Sequence, residues 1–245
     1  MQYPNAPIRE AVFDIKIDSI NTINYEDLLR IKEFIIGEFP IEDTKRNFII
    51  EFPISGQPMQ GSPQNNIVGY VYKSKDESRQ IQIRFDGFTL NILKPYENWE
   101  THFECFIKYW EHYNNLFKPN KITRIATRYI NRIELPTSLN SFQDYILNMP
   151  PIPKCLPQSY TNFFMQVQSP CDDGNLRKAI ITETIEQNLI NPYLVIPFIL
   201  DIDVSQEANI HNAAEDLKSN FNAIRIIKNQ IFENCITDAT RKLFN

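Results

Sequence analysis

One segment, YENWETHFECFIKYWEHYNNLFK (96–118), restricts the possible folds of this chain more than any other. Its large side chains recur every three or four residues, which is the period of one helix face. The residues of this stripe are Trp99, Phe103, Phe106, Trp110, Tyr113 and Phe117. A helix with so broad an aromatic stripe has to bury it against another layer. We therefore predict a long helix packed on a sheet, in preference to an exposed stripe that stacks a ligand.

The segments around this helix have the two-residue period of strands. EAVFDIKID (10–18) alternates apolar and polar residues, and RQIQIRFDGFTLNIL (79–93) predicts two strands around Asp86-Gly87. KITRIATRYINRIELP (121–136) is a long strand bracketed by prolines. Further strands are predicted at 47–55, 67–74, 162–169, 177–187 and 193–204, and further helices at 25–39, 141–148 and 209–234.

The order of these elements is the same in the two halves of the chain, 1–120 and 121–245. Each half has one strand, a short helix, three or four strands and a long helix. This order predicts an α+β fold with a largely antiparallel, curved sheet and long helices packed on one face. It also suggests a duplicated, helix-grip-like β-α-β(3–4)-α unit. We expect the halves to form one continuous globular unit.

Composition disfavours several classes of partner. The 25 basic and 30 acidic residues give a net charge of −5, without the basic excess of a broad nucleic-acid-binding surface. No apolar run approaches the roughly 18 residues of a membrane span, so no membrane partner is expected. The first residues carry no basic-then-apolar signal. We predict a cytoplasmic protein.

Motifs for cofactor and catalytic chemistry are missing from the sequence. Six glycines are too few for the glycine-rich loops that cradle phosphates, and neither common pattern occurs. The four cysteines lack the paired spacing of zinc sites or disulfide scaffolds. No HExxH or GxSxG pattern is present. These patterns predict no cofactor and favour a protein that is not an enzyme.

A row of arginines is the first candidate binding site. Arg124, Arg128 and Arg132 share one face of the strand at 121–136, and Arg84 lies in a neighbouring predicted strand. Together they could bind a small anion or a nucleotide, or line a nucleic-acid groove. The structural alternative is a salt-bridge network on the face of the sheet. The sequence leaves open which face of this strand meets the helices, because both faces are mixed.

Two aspartates are the weak candidate for a metal site. Asp201 and Asp203 in LDIDV share a strand face, and paired carboxylates can bind a divalent ion. They could instead pair with the arginines. If Asp201, Asp203 or Glu183 lies opposite the arginines, the arginine row is structural; if the arginines face solvent in a concavity, it is a binding site. Glu183 and Glu186 are predicted on different faces of their strand.

Several blocks of the sequence resemble a family of prokaryotic proteins of similar length. The blocks are YPNAPIREAVFDI, RFDGFTLNILKPYENWETH, RIATRYINRIELP, ILDIDV and RIIKNQIFENCITDATRKLF. The family is sporadically distributed, in a pattern similar to that of mobile-element and antiphage-defence cargo. The resemblance implies this genomic context, and it implies no activity, cofactor or catalytic residue.

The resulting hypothesis is a non-enzymatic binding or adaptor protein that acts with a partner protein encoded by a neighbouring gene, in antiphage defence. The second hypothesis is a small-anion or nucleotide sensor that uses the arginines. The third is a nucleic-acid-binding subunit. Homodimer formation is compatible with all three hypotheses.

Overall fold

The computed structural model describes residues 3–20, 24–48, 65–171, 174–186 and 195–245, which form an α+β fold. The strands are β1 (Ile8–Ile17), β2 (Ile41–Phe48), β3 (Asn65–Lys73), β4 (Arg79–Arg84), β5 (Gly87–Leu93), β6 (Ile122–Pro136), β7 (Phe164–Cys171), β8 (Arg177–Ile185) and β9 (Val195–Gln206). The helices are α1 (Tyr25–Leu28), α2 (Lys32–Ile35), α3 (Trp99–Phe117), α4 (Ala214–Cys235) and α5 (Asp238–Lys242), with 3-10 turns at Leu29–Ile31 and Phe142–Asp144. None of the helices in these ranges has the length and apolarity that a membrane crossing requires.

The strands form one open, antiparallel sheet in the order β2-β3-β4-β5-β1-β6-β9-β8-β7. The predicted α+β class and the antiparallel pairing are therefore confirmed. In both runs of strands the first strand lies beside the last, since β1 neighbours β5 and β6 neighbours β9. The predicted duplication of a helix-grip-like unit stays a prediction.

The chain divides into two compact units. Unit 1 consists of Met1–Phe13, Leu93–Tyr96 and Thr123–Asn245, and unit 2 of Asp14–Ile92 and Glu97–Ile122. Strand β1 contributes its first half to unit 1 and its second half to unit 2. The predicted single continuous unit with halves 1–120 and 121–245 stays a prediction.

The core of unit 2 contains the aromatic face of α3. The ring of Phe88 on β5 lies 5.6–6.3 Å from the rings of Phe106, Trp110 and Tyr113. Every residue of the predicted stripe is buried. The Asn98 side chain caps the helix by accepting a hydrogen bond from the Thr101 N–H. The prediction that this stripe packs on a sheet is confirmed.

In unit 1, helix α4 packs on β9 and its neighbours. Its buried residues are Leu217, Phe221, Ile224, Lys228 and Cys235, which recur at three- to seven-residue steps along one helix face. The residues of β6 that are buried toward this layer are the odd-numbered ones from Ile125 to Leu135. The arginine-bearing face of β6 is therefore the opposite one. We call the odd-numbered face of β6, with its register partners on β9 and β8, the inner face.

Three element predictions differ from the structure. The helix predicted at 25–39 is broken by the 3-10 turn into α1 and α2, and it ends before Pro40. The helix predicted at 141–148 is only the 3-10 turn Phe142–Asp144. The strand predicted at 47–55 overlaps the end of β2, and residues 49–55 lie outside the described ranges.

Candidate functional site

The outward face of β6 carries the predicted arginine row, and two of its arginines meet the aspartates of β9. The Arg128 Nε and Nη2 atoms lie 2.9 and 2.5 Å from the two Asp201 carboxylate oxygens. Arg124 Nη2 lies 3.2 Å from each carboxylate oxygen of Asp203. Because β6 and β9 are antiparallel neighbours with Arg128 opposite Asp203, these are cross-strand pairs. Asp201 and Asp203 therefore lie opposite the arginines, which is the arrangement that the sequence analysis associated with a structural salt-bridge network.

Arg132, the third arginine of the row, and Arg9 of β1 pair with the same carboxylate, that of Glu186. Arg132 Nε lies 2.8 Å from Glu186, and Arg9 of β1 lies 2.5 Å from the same carboxylate. Arg132 also pairs with Glu134. These partners, Arg132 first, lower the pKa of Glu186, because a neighbouring positive charge favours the carboxylate. The arginine row of unit 1 is thus neutralised along its length.

Arg84 belongs to unit 2 and is nearly buried. Its guanidinium lies 3.0 Å from Asp14 and 3.0 Å from Asp86, and it donates to the Thr89 hydroxyl. The Tyr113 hydroxyl donates to the Arg84 backbone carbonyl at 2.7 Å. Each polar group of this side chain is used within the unit. The role of the four arginines as an anion site stays a prediction, and their carboxylate partners argue against it.

Among the described residues, Asp201 and Asp203 have no third metal-ligating side chain beside them. Asp201 and Asp203 are both engaged by arginines. No group of three His, Cys, Asp or Glu side chains within the described ranges could hold a metal ion. A metal role for the two aspartates stays a prediction.

The inner face of unit 1 holds a second set of polar groups, which belong to no recognised sequence motif. Lys228 of α4 is 9 % exposed, and its Nζ lies 3.7 Å from the centre of the Tyr129 ring. No described residue gives this amine a hydrogen bond or an ion pair. Burial first, and the charge of Arg225 second, lower the pKa of Lys228 to about 7. The interior therefore disfavours the charged form of this amine. The Tyr129 hydroxyl is hydrogen-bonded to that of Tyr96 at 2.7 Å.

Glu183 of β8 is the acidic counterpart on the same face. Its side chain is fully buried, and within the described ranges no nitrogen or oxygen donor reaches either carboxylate oxygen, although the Cys235 thiol lies beside them. Burial raises the pKa of Glu183 to about 7, against a smaller opposing effect of the neighbouring Cys235 thiol. Burial also raises the pKa of Cys235 to about 12, and its sulfur accepts a hydrogen bond from Asn148 at 3.3 Å.

The strand register places these groups on one surface. Glu183 pairs with Leu200, and Leu200 pairs with Asn131 on β6, so the three residues form one row across the inner face. Tyr129, two residues along β6, is the residue under Lys228. The hydroxyl of Thr127, two residues further, is also buried without a partner. Native interiors leave few polar atoms unsatisfied, so this concentration marks the inner face as the stronger candidate site.

The sequence carried part of the signal for this site. A helical period through Leu217, Phe221 and Ile224 makes Ile227 and Lys228 alternative core positions of α4, and strand alternation predicted Glu183 and Glu186 on different faces. The structure confirms that alternation, with Glu183 buried and Glu186 paired with Arg132. A charged residue at a core position of the helix (Lys228) together with one at a core position of the strand (Glu183) is the pattern that could have located the site.

Comparison with known proteins adds no assignment. No protein-family profile and no curated protein sequence matches the chain.

Proposed function

We propose that the protein is a non-enzymatic binding protein that docks a partner protein along strand β7. The observation that carries this proposal is the exposure of β7, which is the last strand in the order of the sheet. Six of its eight residues are exposed and two are partly buried. The side chains of Phe164 and Val167 are 70 % and 46 % exposed.

An edge strand of this kind suits strand addition. Its outward backbone N–H and C=O groups can pair with an extended segment of another chain, and exposed side chains on both faces can add specificity. Natural proteins protect long exposed edges with charges, bulges or short strands. β7 has no charged residue between Phe164 and Cys171, and it has a proline only near its end. An uncharged edge with exposed apolar side chains is expected where a partner covers it.

The partner is a protein encoded by a neighbouring gene, and the context is antiphage defence. Support for this context comes from the sequence resemblance to a sporadically distributed prokaryotic family. The carboxylate partners of Arg124, Arg128 and Arg132 disfavour the sensor and nucleic-acid hypotheses. The repeated pairing order of the strands supports the duplicated helix-grip-like unit as the scaffold.

Co-expression with the products of adjacent genes tests the proposal. We expect one product to co-purify with the wild type, and Val167→Lys to weaken its binding about tenfold or more, because a lysine on an edge strand opposes pairing. Ile226→Lys is the matched control, since Ile226 on α4 of the same unit is 48 % exposed. It should bind like the wild type. Equal binding by both variants, or no bound product, would contradict the proposal. A wild-type dimer that Val167→Lys converts to monomers would assign β7 to a second copy instead.

A further inference from the structure

The backbone of β7 carries its hydrogen-bonding groups in two alternating sets. β7 pairs with β8 in an unbroken antiparallel register, from Phe164 opposite Thr184 to Cys171 opposite Arg177. In such a pair, every second residue bonds to the neighbouring strand through both its N–H and its C=O. The residues between them point both groups away from that strand. The set that points away from β8 is the one that an added chain can use.

Pro170 identifies the outward set of β7. Proline has no N–H, so within a sheet it lies where that group would face away from the neighbouring strand. Pro170 lies opposite Lys178, and the other residues of its alternating set are Phe164, Gln166 and Gln168. Their N–H and C=O groups therefore face away from β8. On that side of β7 the described part of the sheet has no further strand.

The pairing of β8 with β9 gives the same assignment independently. The N–H of Glu186, directly after β8, donates to the Pro197 carbonyl of β9 at 2.8 Å. The even-numbered residues of β8 therefore face β9, and the odd-numbered ones face β7. Ile181 of β8 lies opposite Val167, so the odd-numbered residues of β7 bond to β8. The even-numbered residues of β7 again face outward.

The outward edge of β7 is closed at one end. Pro170 has no N–H to donate, and its carbonyl accepts a hydrogen bond from the Ser169 hydroxyl at 3.3 Å. The usable edge therefore runs from Phe164 to Gln168, which is about 14 Å at roughly 3.4 Å per residue. An added strand can pair along this length and has to stop before Pro170.

The first strand in the order of the sheet, β2, lacks such an edge. Its pairing with β3 shifts register between Lys45 and Arg46, and its residues Glu42 and Asp43 are exposed. Bulges and charges are the features by which natural edge strands prevent the addition of another chain. β7 has an unshifted register and no charged residue. Strand addition is therefore expected at β7 and not at β2.

The side chains of β7 indicate the composition of the added segment. Met165 and Val167 lie on the inner face, opposite Glu183 and Ile181, and they favour apolar residues across the new pair. On the other face, Phe164 is 70 % exposed and favours an aromatic or β-branched neighbour. The Gln166 amide on that face donates to the Thr182 hydroxyl at 3.0 Å, which makes this position suitable for polar, uncharged neighbours. A charged residue in the added segment would have no countercharge on β7.

We propose that the partner contributes an uncharged, extended segment of about five residues, which adds antiparallel to β7. Its backbone hydrogen-bonds to Phe164, Gln166 and Gln168 and ends before Pro170. The antiparallel direction continues that of the whole described sheet and is the slightly more stable one. This inference rests on the proposed function, and it specifies which part of β7 binds and what kind of segment the partner supplies.

Amide hydrogen exchange in the free protein, resolved by residue with NMR, tests the outward edge. We expect the N–H of Val167 to exchange about tenfold more slowly, or more, than those of Gln166 and Gln168, because only Val167 is bonded to β8. Equal exchange at the three residues would overturn the assignment. Addition of the gene product that co-purifies with the wild type should then slow exchange at Gln166 and Gln168. Unchanged exchange at these two residues in the complex would overturn the proposed register.

A matched pair of variants tests the backbone contact in binding. Gln166→Pro removes the outward N–H, and the fold is expected to tolerate it as it tolerates Pro170. Gln166→Ala removes the same side chain and keeps the N–H. We expect Gln166→Pro to bind the co-purified product about tenfold more weakly or worse, because it removes one hydrogen bond and blocks close approach, and Gln166→Ala to bind like the wild type.

The outcomes separate this inference from the proposed function. Equal binding by Gln166→Pro and Gln166→Ala, while Val167→Lys still weakens binding, would overturn the register and leave the proposed function intact. Full binding by all three variants would contradict the proposed function itself. Circular dichroism and the melting temperature show whether each variant folds. Gln168→Pro with Gln168→Ala is a second pair of the same design, which replaces the first if Gln166→Pro does not fold.

Discussion

Replacing Glu183 with glutamine should stabilise the protein increasingly as the pH rises. Glu183 is fully buried, and burial raises its pKa from an ordinary 4.5 to about 7, against a smaller lowering by the neighbouring Cys235 thiol. The folded protein therefore holds the Glu183 proton more tightly than the unfolded chain does. Stability from this group is fully present below the unfolded pKa and is lost as the pH rises toward the folded pKa. Glutamine has no charge to desolvate, so the variant escapes this loss.

The size of the effect follows from the two pKa values. A tenfold change in proton affinity is about 1.4 kcal/mol, so a pKa of about 7 against 4.5 gives a full cost of about 3 kcal/mol above neutral pH. Between pH 5 and pH 8 the cost grows by about 2–3 kcal/mol, because part of it is already present at pH 5. The free energy of unfolding of Glu183→Gln, relative to the wild type, should rise by that amount over this interval.

Urea denaturation at pH 5 and pH 8 measures the difference. A constant effect of the glutamine amide itself cancels when the two pH values are compared. Glu186→Gln is the control, because Arg132 and Arg9 lower the pKa of Glu186 and leave it ionised across this range. Its effect should be nearly the same at both pH values. A relative free energy for Glu183→Gln that does not change with pH would refute the burial argument.

Three further predictions concern other sites. Lys228→Met should stabilise the protein by up to about 4 kcal/mol at pH 6, and by less toward pH 10. The reason is that the lowered pKa of Lys228 makes the folded state lose stability as the pH falls. Urea denaturation at pH 6 and pH 10 measures this stabilisation, and a stabilisation that does not change with pH would contradict the prediction. Gly69→Ala should lower the melting temperature by several degrees, since its Cβ would lie 2.1 Å from a backbone oxygen of β4, whereas Gly37→Ala, with nothing within 4 Å, should not. Tyr113→Phe should cost about 1–3 kcal/mol in chemical denaturation, because it leaves the buried Arg84 carbonyl without its donor; an unchanged midpoint would count against this.

The sequence was sufficient to predict the elements whose period is strong. The aromatic stripe of α3 and the alternation of β6 and β9 are local properties, and the observed bounds of these elements agree with the predicted ones within a few residues. The helix at 25–39 was less predictable. Its apolar period continues through a 3-10 turn, which hydrogen-bond geometry creates and composition does not reveal.

The candidate site depended on facts that a single strand or helix does not contain. Both faces of β6 mix apolar and polar residues, so only packing against α4 shows that the face with Thr127 and Asn131 is buried. The rotation of α4 about its axis likewise determines that Lys228 is buried while Ile226 is 48 % exposed. That rotation is fixed by strands that lie far away in the sequence. The ion pairs of the arginine row were predictable because Asp201 and Asp203 follow the same alternation as the arginines.

The division of β1 between the two units has a consequence for synthesis on the ribosome. The first half of β1 belongs to unit 1, and its Pro7 carbonyl accepts a hydrogen bond from the Arg132 N–H of β6. These residues are 125 positions apart, so at roughly 5–20 residues per second the ribosome needs roughly 6–25 s to deliver the partner. Residues 14–122, which contain all of unit 2, are made within that interval. Unit 2 can therefore complete its chain first, before β6 is available to pair with the opening half of β1.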